Sequence, residues 1–537
     1  MIISEEAQKL LAVYQYWNKS HQIKENVPTI HVDEVASKVA AFYEKIRGII
    51  DWKEEHLLKR RAIERILKRR IFSKIALSEE GISGKYEFAE PLVLELIRGG
   101  HFPNDKIEES QIPVVQKAVD KYAYIIQRCQ VKDNKIQFYS WLSEIAACEI
   151  EEILSPSVRQ RALIDFMFSE MKQRITLSEN LRNSFKVTEE EETIQIYIAV
   201  QRALFKLDSP VVSYHLIKYF FTDWKDIASE KLSQLALNID STYERIEKSL
   251  AHPLSDKYYQ IAEKYDTPYL LLGDALSRAS DPKVILTEPA ELEKSITAAY
   301  NHRVKTLKGR LNRAAVYSTL SIFLTNIVSL FLIEIPFNKW ITGYYFNMLA
   351  MVIDILVPTF LMYFMVATVK PPNKENLPRI IMEIIRILSG KKDIYEIKYA
   401  RTKKGLAYWI LVNSLYIIGF TVTLLAIVWS LSKVNFPPLS HVIFIIFLSL
   451  IAFAGAKIRQ RSKELQVIEE KDSFIRFFID PFSVPIIQLG KWFTLKWKKY
   501  NVIAVFFSAL IDMPFTTFVE FIEQWRYFLK EKKEKIH

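Results

Sequence analysis

Four long apolar stretches in the second half of the chain constrain its fold more than any other feature. They cover 314–333, 341–369, 406–431 and 439–456 of the 537 residues. An α-helix rises 1.5 Å per residue, so about 20 apolar residues cross the ~30 Å hydrocarbon core of a bilayer. Buried helices of a water-soluble domain do not explain four such stretches in close succession. The sequence therefore predicts four transmembrane helices.

The loops between these stretches differ in charge. The loop 370–405 carries ten Lys and Arg residues against four acidic residues, and further basic residues precede the first stretch and follow the fourth. The two opposite loops each carry one lysine, Lys339 and Lys433. Because cytoplasmic loops are enriched in Lys and Arg, we expect a multi-pass protein of the cell membrane with both termini in the cytoplasm.

Glycine is scarce, with 13 residues in 537, about a third of the usual ~7%. Neither GxGxxG nor GxxxxGK[ST] occurs, so the common nucleotide-binding loops are excluded. Residues 1–286 show successive helical patterns instead, and Thr188 followed by four glutamates is a capping box. We predict an all-α fold: a cytoplasmic helical domain (1–286), joined by a long helix (287–313, continuous with the first span) to a four-helix transmembrane bundle.

Two further segments have more than one possible location. Val502–Ile511 is apolar, but Asp512 and Pro514 interrupt it. The C-terminal region 457–537 is therefore expected to be cytoplasmic and to carry interfacial or re-entrant helices. The loop helix that begins at Asn376 has an isoleucine-rich face, which could lie on the bilayer or on the soluble domain.

Asp354 is the ionisable residue that lies deep in a predicted span. A charge at the bilayer centre costs at least about 2.5 kcal/mol, so its side chain should face protein or water. Asparagines in or near the spans could hydrogen-bond it: Asn326, Asn347 and Asn413. This candidate intramembrane polar site is either an ion or proton site or a packing feature, in which Asp354 and Pro358 form a kink.

A second candidate is the basic amphipathic helix from Glu54 to Phe72. Its arginines could contact anionic lipid headgroups or a partner: Arg60, Arg61, Arg65, Arg69 and Arg70. The alternative is a solvent-exposed helix that forms salt bridges with an acidic surface such as Glu189–Glu192. We favour this alternative because Glu64 and other acidic residues of the helix reduce its net positive charge. No recognition motif accompanies the helix, so nucleic acid is not an expected partner.

The sequence shows no catalytic constellation. HExxH, GxSxG and His/Cys clusters at metal-ligand spacing do not occur, and Cys129 and Cys148 match no zinc or redox motif. We expect no cofactor and no metal, and rank first a membrane-anchored interaction or scaffold protein. Its expected partners are the lipid bilayer and an unidentified cytoplasmic protein. The alternative is a homo-oligomeric ion- or proton-coupled transporter or channel subunit that uses Asp354, and a lipid-processing enzyme ranks third.

Overall fold

The structure is a computed structural model. It describes residues 3–20, 27–32, 55–69, 88–129, 135–343, 348–369, 376–390, 395–397, 406–462, 465, 474–499, 521, 525 and 528. The described residues fall into two compact units. We call Ser4–Asp266, with the strand Tyr395–Ile397, the N-terminal unit. We call Thr267–Lys392 and Lys398–Asn501 the membrane unit.

Twelve helices make up most of the described part of the N-terminal unit. They are α1 (Glu5–Ser20), α2 (Glu55–Leu67), α3 (Ala89–Arg98), α4 (Gln111–Arg128), α5 (Lys135–Leu154), α6 (Val158–Arg174), α7 (Glu179–Phe185), α8 (Glu189–Phe205), α9 (Ser209–Phe220), α10 (Ser229–Leu237), α11 (Ile239–Leu250) and α12 (Ser255–Lys264). The apolar helix α5 is buried on most sides, and α2, α4 and α9 pack around it. This arrangement gives the unit a hydrophobic core of its own.

The predicted capping box at the start of α8 is confirmed. The Thr188 hydroxyl accepts the backbone N–H of Glu191 at 3.1 Å, and the Glu191 carboxylate accepts the backbone N–H of Thr188 at 2.8 Å. These bonds satisfy two donors that a helix N-terminus otherwise leaves free.

Two three-residue strands interrupt the helices in the part of the chain that the structure describes. β1 (Ile175–Leu177) pairs in parallel with β2 (Tyr395–Ile397), with Thr176 opposite Glu396. β2 belongs to the loop between the second and third apolar stretches, yet it is part of the N-terminal unit. The strands are too short to change the fold class, and the all-α prediction is confirmed.

A helix of 52 residues, Pro289–Trp340, is the longest element of the described chain. We call it the long helix; at 1.5 Å per residue it extends about 80 Å. It passes Gly309 without a break, as the sequence predicts. It also continues through Pro336, beyond the predicted end of the first span at residue 333. The turns Leu330–Glu334 and Asn338–Thr342, before and after this proline, are π-helical. A π-helical turn bonds residues i and i+5, which changes the pattern of backbone partners around the proline.

The rest of the membrane unit is also helical where it is described. It contains α13 (Asp266–Arg278), α14 (Pro282–Thr287), α15 (the long helix), α16 (Met348–Ala367), α17 (Asn376–Leu388), α18 (Leu406–Ser432), α19 (Pro438–Ser462) and α20 (Phe474–Lys499). Four helices are long and apolar enough to cross a membrane: the long helix, α16, α18 and α19. The chain is therefore a membrane protein, and among its described residues four helices could span a membrane, as the sequence predicts.

The amphipathic helix α17 buries its apolar face inside the membrane unit. Ile380 and Ile384 are 0% and 1% exposed, and α17 contacts the long helix. The sequence left the bilayer and the soluble domain as the two possible surfaces for this face. The structure instead places it against the helix that leads into the first span.

Helix α20 lies along α18 and α19. The Tyr416 hydroxyl of α18 donates to Gln488 of α20 at 2.6 Å. Gly490 lies so close to α19 that a Cβ atom there would come within 2.0 Å of the Ser449 carbonyl oxygen. Small residues allow such close helix contacts within membranes. The apolar segment Val502–Ile511, expected to be interfacial or re-entrant, lies outside the described residues.

Candidate functional site

Asp354 is buried near the start of α16, with 3% of its surface exposed. Pro358 follows one turn later and has no N–H with which to bond the Asp354 carbonyl. The side-chain Nδ2 of Asn326 on the long helix donates to that carbonyl at 3.4 Å. Asn326 thus lies beside Asp354, as the sequence suggests, but bonds its backbone rather than its carboxylate.

Glu334 is a second buried carboxylate, which is not among the site residues predicted from the sequence. It is 0% exposed and lies on the π-helical turn Leu330–Glu334 of the long helix. The Ser329 hydroxyl donates to Glu334 Oε1 at 3.1 Å, and the Ser440 hydroxyl of α19 faces the same carboxylate. Its other oxygen, Oε2, is buried and accepts no hydrogen bond from any described residue.

The reason for the omission is the span boundary. The predicted first span is a stretch without a charged residue, so it ends at Ile333, one residue before Glu334. One sequence signal does indicate that Glu334 could be buried: the segment Leu330–Phe337 is apolar apart from this residue. The π-helical turn that directs Glu334 inward has no recognisable sequence signature.

Three helices meet at these side chains. Asn338 of the long helix donates its Nδ2 to the Glu334 carbonyl at 2.7 Å and to the Ser440 hydroxyl of α19 at 3.3 Å. Glu334 is close enough to Asp354 to act on it electrostatically. We call Asn326, Glu334, Asp354 and Ser440 the carboxylate cluster. The same unit contains a small apolar core, formed by Ala350, Leu431, Phe436 and Phe444.

The other two asparagines are not placed in the carboxylate cluster. Asn347 lies outside the described residues. Asn413 is on α18, eighteen residues before Leu431, which packs with Ala350 near Asp354. Eighteen helical residues correspond to about 27 Å. Asn413 therefore lies near the opposite end of its span.

Some of the arginines of α2 form ion pairs within the N-terminal unit. Arg60 is 4% exposed and bonds Asp208 through both terminal nitrogens, and Arg69 pairs with Glu95. Arg61 and Arg65 are half-buried, and Arg70 lies outside the described residues. The acidic surface proposed as their partner pairs elsewhere, as in Glu190 with Arg245 at 2.6 Å.

A cavity of about 390 Å³, lined by both apolar and charged side chains, lies between α1, α6 and α9 of the N-terminal unit. Its wall includes Glu152, which accepts bonds from Lys218 at 2.7 Å and Lys225 at 3.0 Å. Burial alone would raise the pKa of Glu152, but these ammonium groups outweigh it and lower the pKa to about 2. Burial beside Lys218 lowers the pKa of His215, which also lines the cavity, to about 4. The Glu152 carboxylate of this cavity is therefore neutralised by its own lysine partners.

Comparisons with known proteins add no assignment to these sites. No protein family matches the chain, and no curated protein and no solved structure is significantly similar to it. Among the described residues, no group of three or more His, Cys, Asp or Glu side chains is arranged to hold a metal ion.

Proposed function

We propose that the protein is an ion- or proton-coupled transporter or channel subunit, with Glu334 and Asp354 as the site that binds the ion or proton. The observation that carries this proposal is the burial of two carboxylates, 0% and 3% exposed, on different helices of the membrane unit. Ionisable residues at membrane depth are costly and commonly mark ion pathways or proton relays.

The energetics of the carboxylate cluster favour occupancy by a positive charge. Neither acid forms an ion pair with a described residue, and no lysine or arginine lies within the four predicted apolar stretches. Two carboxylates in a low-dielectric surrounding repel each other, so at least one holds a proton or both share a cation. Asn326 Oδ1 and Glu334 Oε2 are buried oxygens without a hydrogen-bond partner among the described residues. They are the acceptors that such an occupant would satisfy.

The π-helical turn beside Glu334 supports the same proposal. Single π-helical turns inside α-helices occur frequently at functional sites, because they direct a side chain that a regular helix would place elsewhere. Four spans enclose little volume on their own, so a homo-oligomer of this chain would complete the pathway.

Flux measurements in vesicles test the proposal. The purified full chain is reconstituted with an internal pH-sensitive dye, and proton flux is driven by a potassium gradient with valinomycin. We expect flux in the wild type, with its loss in Asp354→Asn and in Glu334→Gln. Glu293→Gln removes an exposed carboxylate of the same helix and should leave flux unchanged. Repeating the assay with sodium and potassium gradients separates a proton from a metal cation.

The two substitutions also decide whether the carboxylate cluster only packs. Each replaces a carboxylate by an amide of nearly equal size, so the fold should persist and can be checked by thermal unfolding. Wild-type flux that continues at the same rate in both variants would contradict the assignment of the site.

A second candidate function is that of a membrane-anchored interaction or scaffold protein. The observation that favours it is the separate hydrophobic core of the N-terminal unit, which is larger than either small core of the membrane unit. Cross-linking in intact cells followed by mass spectrometry tests it. A specific partner attached to residues of the N-terminal unit, together with a lack of ion flux, would favour this function.

A further inference from the structure

An apolar groove lies between the long helix and α16. It has a volume of about 660 Å³ and is lined by Thr319, Leu356, Val357, Thr359, Phe360, Leu361, Tyr363 and Phe364. Several of the side chains that line it are aromatic or aliphatic and exposed; Phe360 is 68% and Leu356 is 52% exposed. Such a groove accommodates a hydrocarbon chain in a membrane.

The groove lies toward one end of the membrane unit. Phe364 is three residues before the end of α16, and Met362 and Val366 pack near Leu311 and Ala315 of the long helix. The groove therefore opens toward the end where the long helix emerges from its apolar stretch. Headgroups of the lipids in that leaflet lie at this level.

Two exposed lysines extend from the groove along the same face of the long helix. Lys308 is eleven residues before Thr319, and Lys305 is fourteen, which correspond to about three and four turns of 3.6 residues. Both side chains are exposed, and neither forms an ion pair with a described residue. Helical side chains lean toward the N-terminus, so these ammonium groups lean away from the groove, toward the headgroup level.

The acidic residues described near these lysines are paired with arginines, as Asp274 of α13 is with Arg303. The long helix has no Asp or Glu between Glu293 and Glu334. On α17, which contacts the long helix, Glu383 lies 3.7 Å from Arg386. An anion at the headgroup level would therefore meet free positive charge.

We propose that this groove, together with Lys305 and Lys308, is a binding site for one anionic phospholipid. An acyl chain occupies the groove, and the phosphate headgroup lies on the two lysines. Clusters of basic residues next to a span attract anionic lipids, at roughly fivefold in affinity for each residue near the surface. The paired apolar groove adds the chain contact that a free phosphate ion lacks.

Native mass spectrometry of the full chain in detergent tests this proposal. The probes are phosphatidylglycerol and phosphatidylcholine with identical acyl chains. We expect the wild type to retain phosphatidylglycerol preferentially. Lys305→Gln with Lys308→Gln should reduce that preference about 25-fold, while Lys305→Arg with Lys308→Arg should retain it.

Two further variants separate the headgroup from the chain. The double variant Lys294→Gln with Arg310→Gln also removes two positive charges. Arg310, however, lies on the opposite face of the helix from Lys308, and Lys294 lies farther from the membrane. This control should keep the preference. Leu356→Trp, at an exposed position, should reduce retention of both lipids equally because it fills the groove. Inorganic phosphate in excess should displace neither.

Three results would overturn the proposal. The first is an unchanged preference in Lys305→Gln with Lys308→Gln. The second is an equal loss in the control with Lys294 and Arg310. The third is displacement of phosphatidylglycerol by inorganic phosphate, which would identify a simple anion site. Thermal unfolding of each variant shows whether a loss of binding reflects a loss of fold.

Discussion

Lys121 and Glu149 form a buried ion pair in the N-terminal unit, with 2.7 Å between Nζ and Oε1 and side chains 6% and 3% exposed. The second oxygen of Glu149 accepts the Tyr122 hydroxyl at 2.7 Å and the indole N–H of Trp224 at 2.9 Å. Lys121 also donates to the Trp224 carbonyl at 2.9 Å. These four residues, on α4, α5 and the turn after α9, form one hydrogen-bonded network.

Lys121→Met should strongly destabilise the protein. The substitution leaves the Glu149 carboxylate buried without its cation, and breaking a buried pair in this way costs about 3–5 kcal/mol. Lys117→Met is the matched control on the same helix, because the Lys117–Asp226 pair is 62% and 83% exposed. It should change stability by less than about 1 kcal/mol. Denaturant unfolding in detergent measures both; equal effects would show that burial of the pair does not matter.

Glu144→Gln should stabilise the protein at alkaline pH. Burial, with repulsion from Glu64, raises the pKa of Glu144 to about 7. Between the ordinary pKa of about 4.5 and about 7, the unfolded chain has lost this proton while the folded chain keeps it, so stability falls as pH rises through this window. The glutamine variant cannot ionise and should have a higher Tm than wild type at pH 8.

The same comparison at pH 4.5 provides the internal control. There the carboxyl is protonated in the fold and half protonated in the unfolded chain, so the advantage of the variant should be small. Glu244→Gln, at an exposed position, should show no pH-dependent difference. A Tm advantage of Glu144→Gln that is equal at both pH values would contradict the raised pKa.

The sequence was informative where a signal is local. Thr188 and Glu191 specify a helix start by their spacing, and the four apolar stretches specify membrane-spanning helices by their length. Asn326 is one of three asparagines that the sequence offers as partners of Asp354, and it bonds the Asp354 backbone carbonyl. These features depend on composition and short spacings, which the sequence displays directly.

The rest depends on contacts between distant residues. Glu334 joins the carboxylate cluster through a π-helical turn and through Ser440, which is more than one hundred residues away along the chain. Three-residue strands such as β2 carry too few residues for a pattern. The sequence pattern predicts that Arg60 is a surface cation, but Arg60 is buried and forms an ion pair with Asp208.

Gly490→Ala should destabilise the membrane unit. The added methyl group would meet the Ser449 backbone of α19 at 2.0 Å, and a backbone atom cannot move as a flexible side chain does. Gly455→Ala should cost less, because the nearest atom is the methionine methyl group of Met365. Gly309→Ala has open space around it and should raise helix stability by up to about 1 kcal/mol.

Thermal unfolding in a single detergent ranks these three variants. The expected order of Tm is Gly309→Ala highest, then Gly455→Ala, then Gly490→Ala. A Gly490→Ala protein as stable as wild type would show that α20 does not lie against α19 at this point.

A disulfide between positions 176 and 396 should form readily. Thr176 and Glu396 are opposite each other in the parallel pair β1–β2. In a protein with Cys129→Ser and Cys148→Ala, cysteines at these two positions should cross-link under mild oxidation. Cleavage between the two positions, followed by non-reducing electrophoresis, detects the bond. The combination of Lys172→Cys with Glu396→Cys is the control and should remain reduced, since Lys172 lies on α6 outside the strand.

The cross-link also bears on topology. The loop that carries β2 joins the second and third spans, so pairing with β1 requires that loop and the N-terminal unit to be on one side of the membrane. Failure of the 176–396 pair to oxidise, in a protein that unfolds like the wild type, would contradict the strand pairing.

Labelling of single cysteines should place the two short loops outside the cell. Lys339 lies beside Trp340, which is 83% exposed at the end of the long helix, and Lys433 directly follows α18. Arg459 is exposed near the other end of α19. In the cysteine-free background, Lys339→Cys and Lys433→Cys should react with an impermeant maleimide on intact cells, because the weakly charged loops face outward. Arg459→Cys should react only after the membrane is opened. Labelling of Arg459→Cys in intact cells, with protection of the other two cysteines, would show the reverse orientation. Labelling of both Lys339→Cys and Arg459→Cys in intact cells would show that not all four apolar helices cross the membrane.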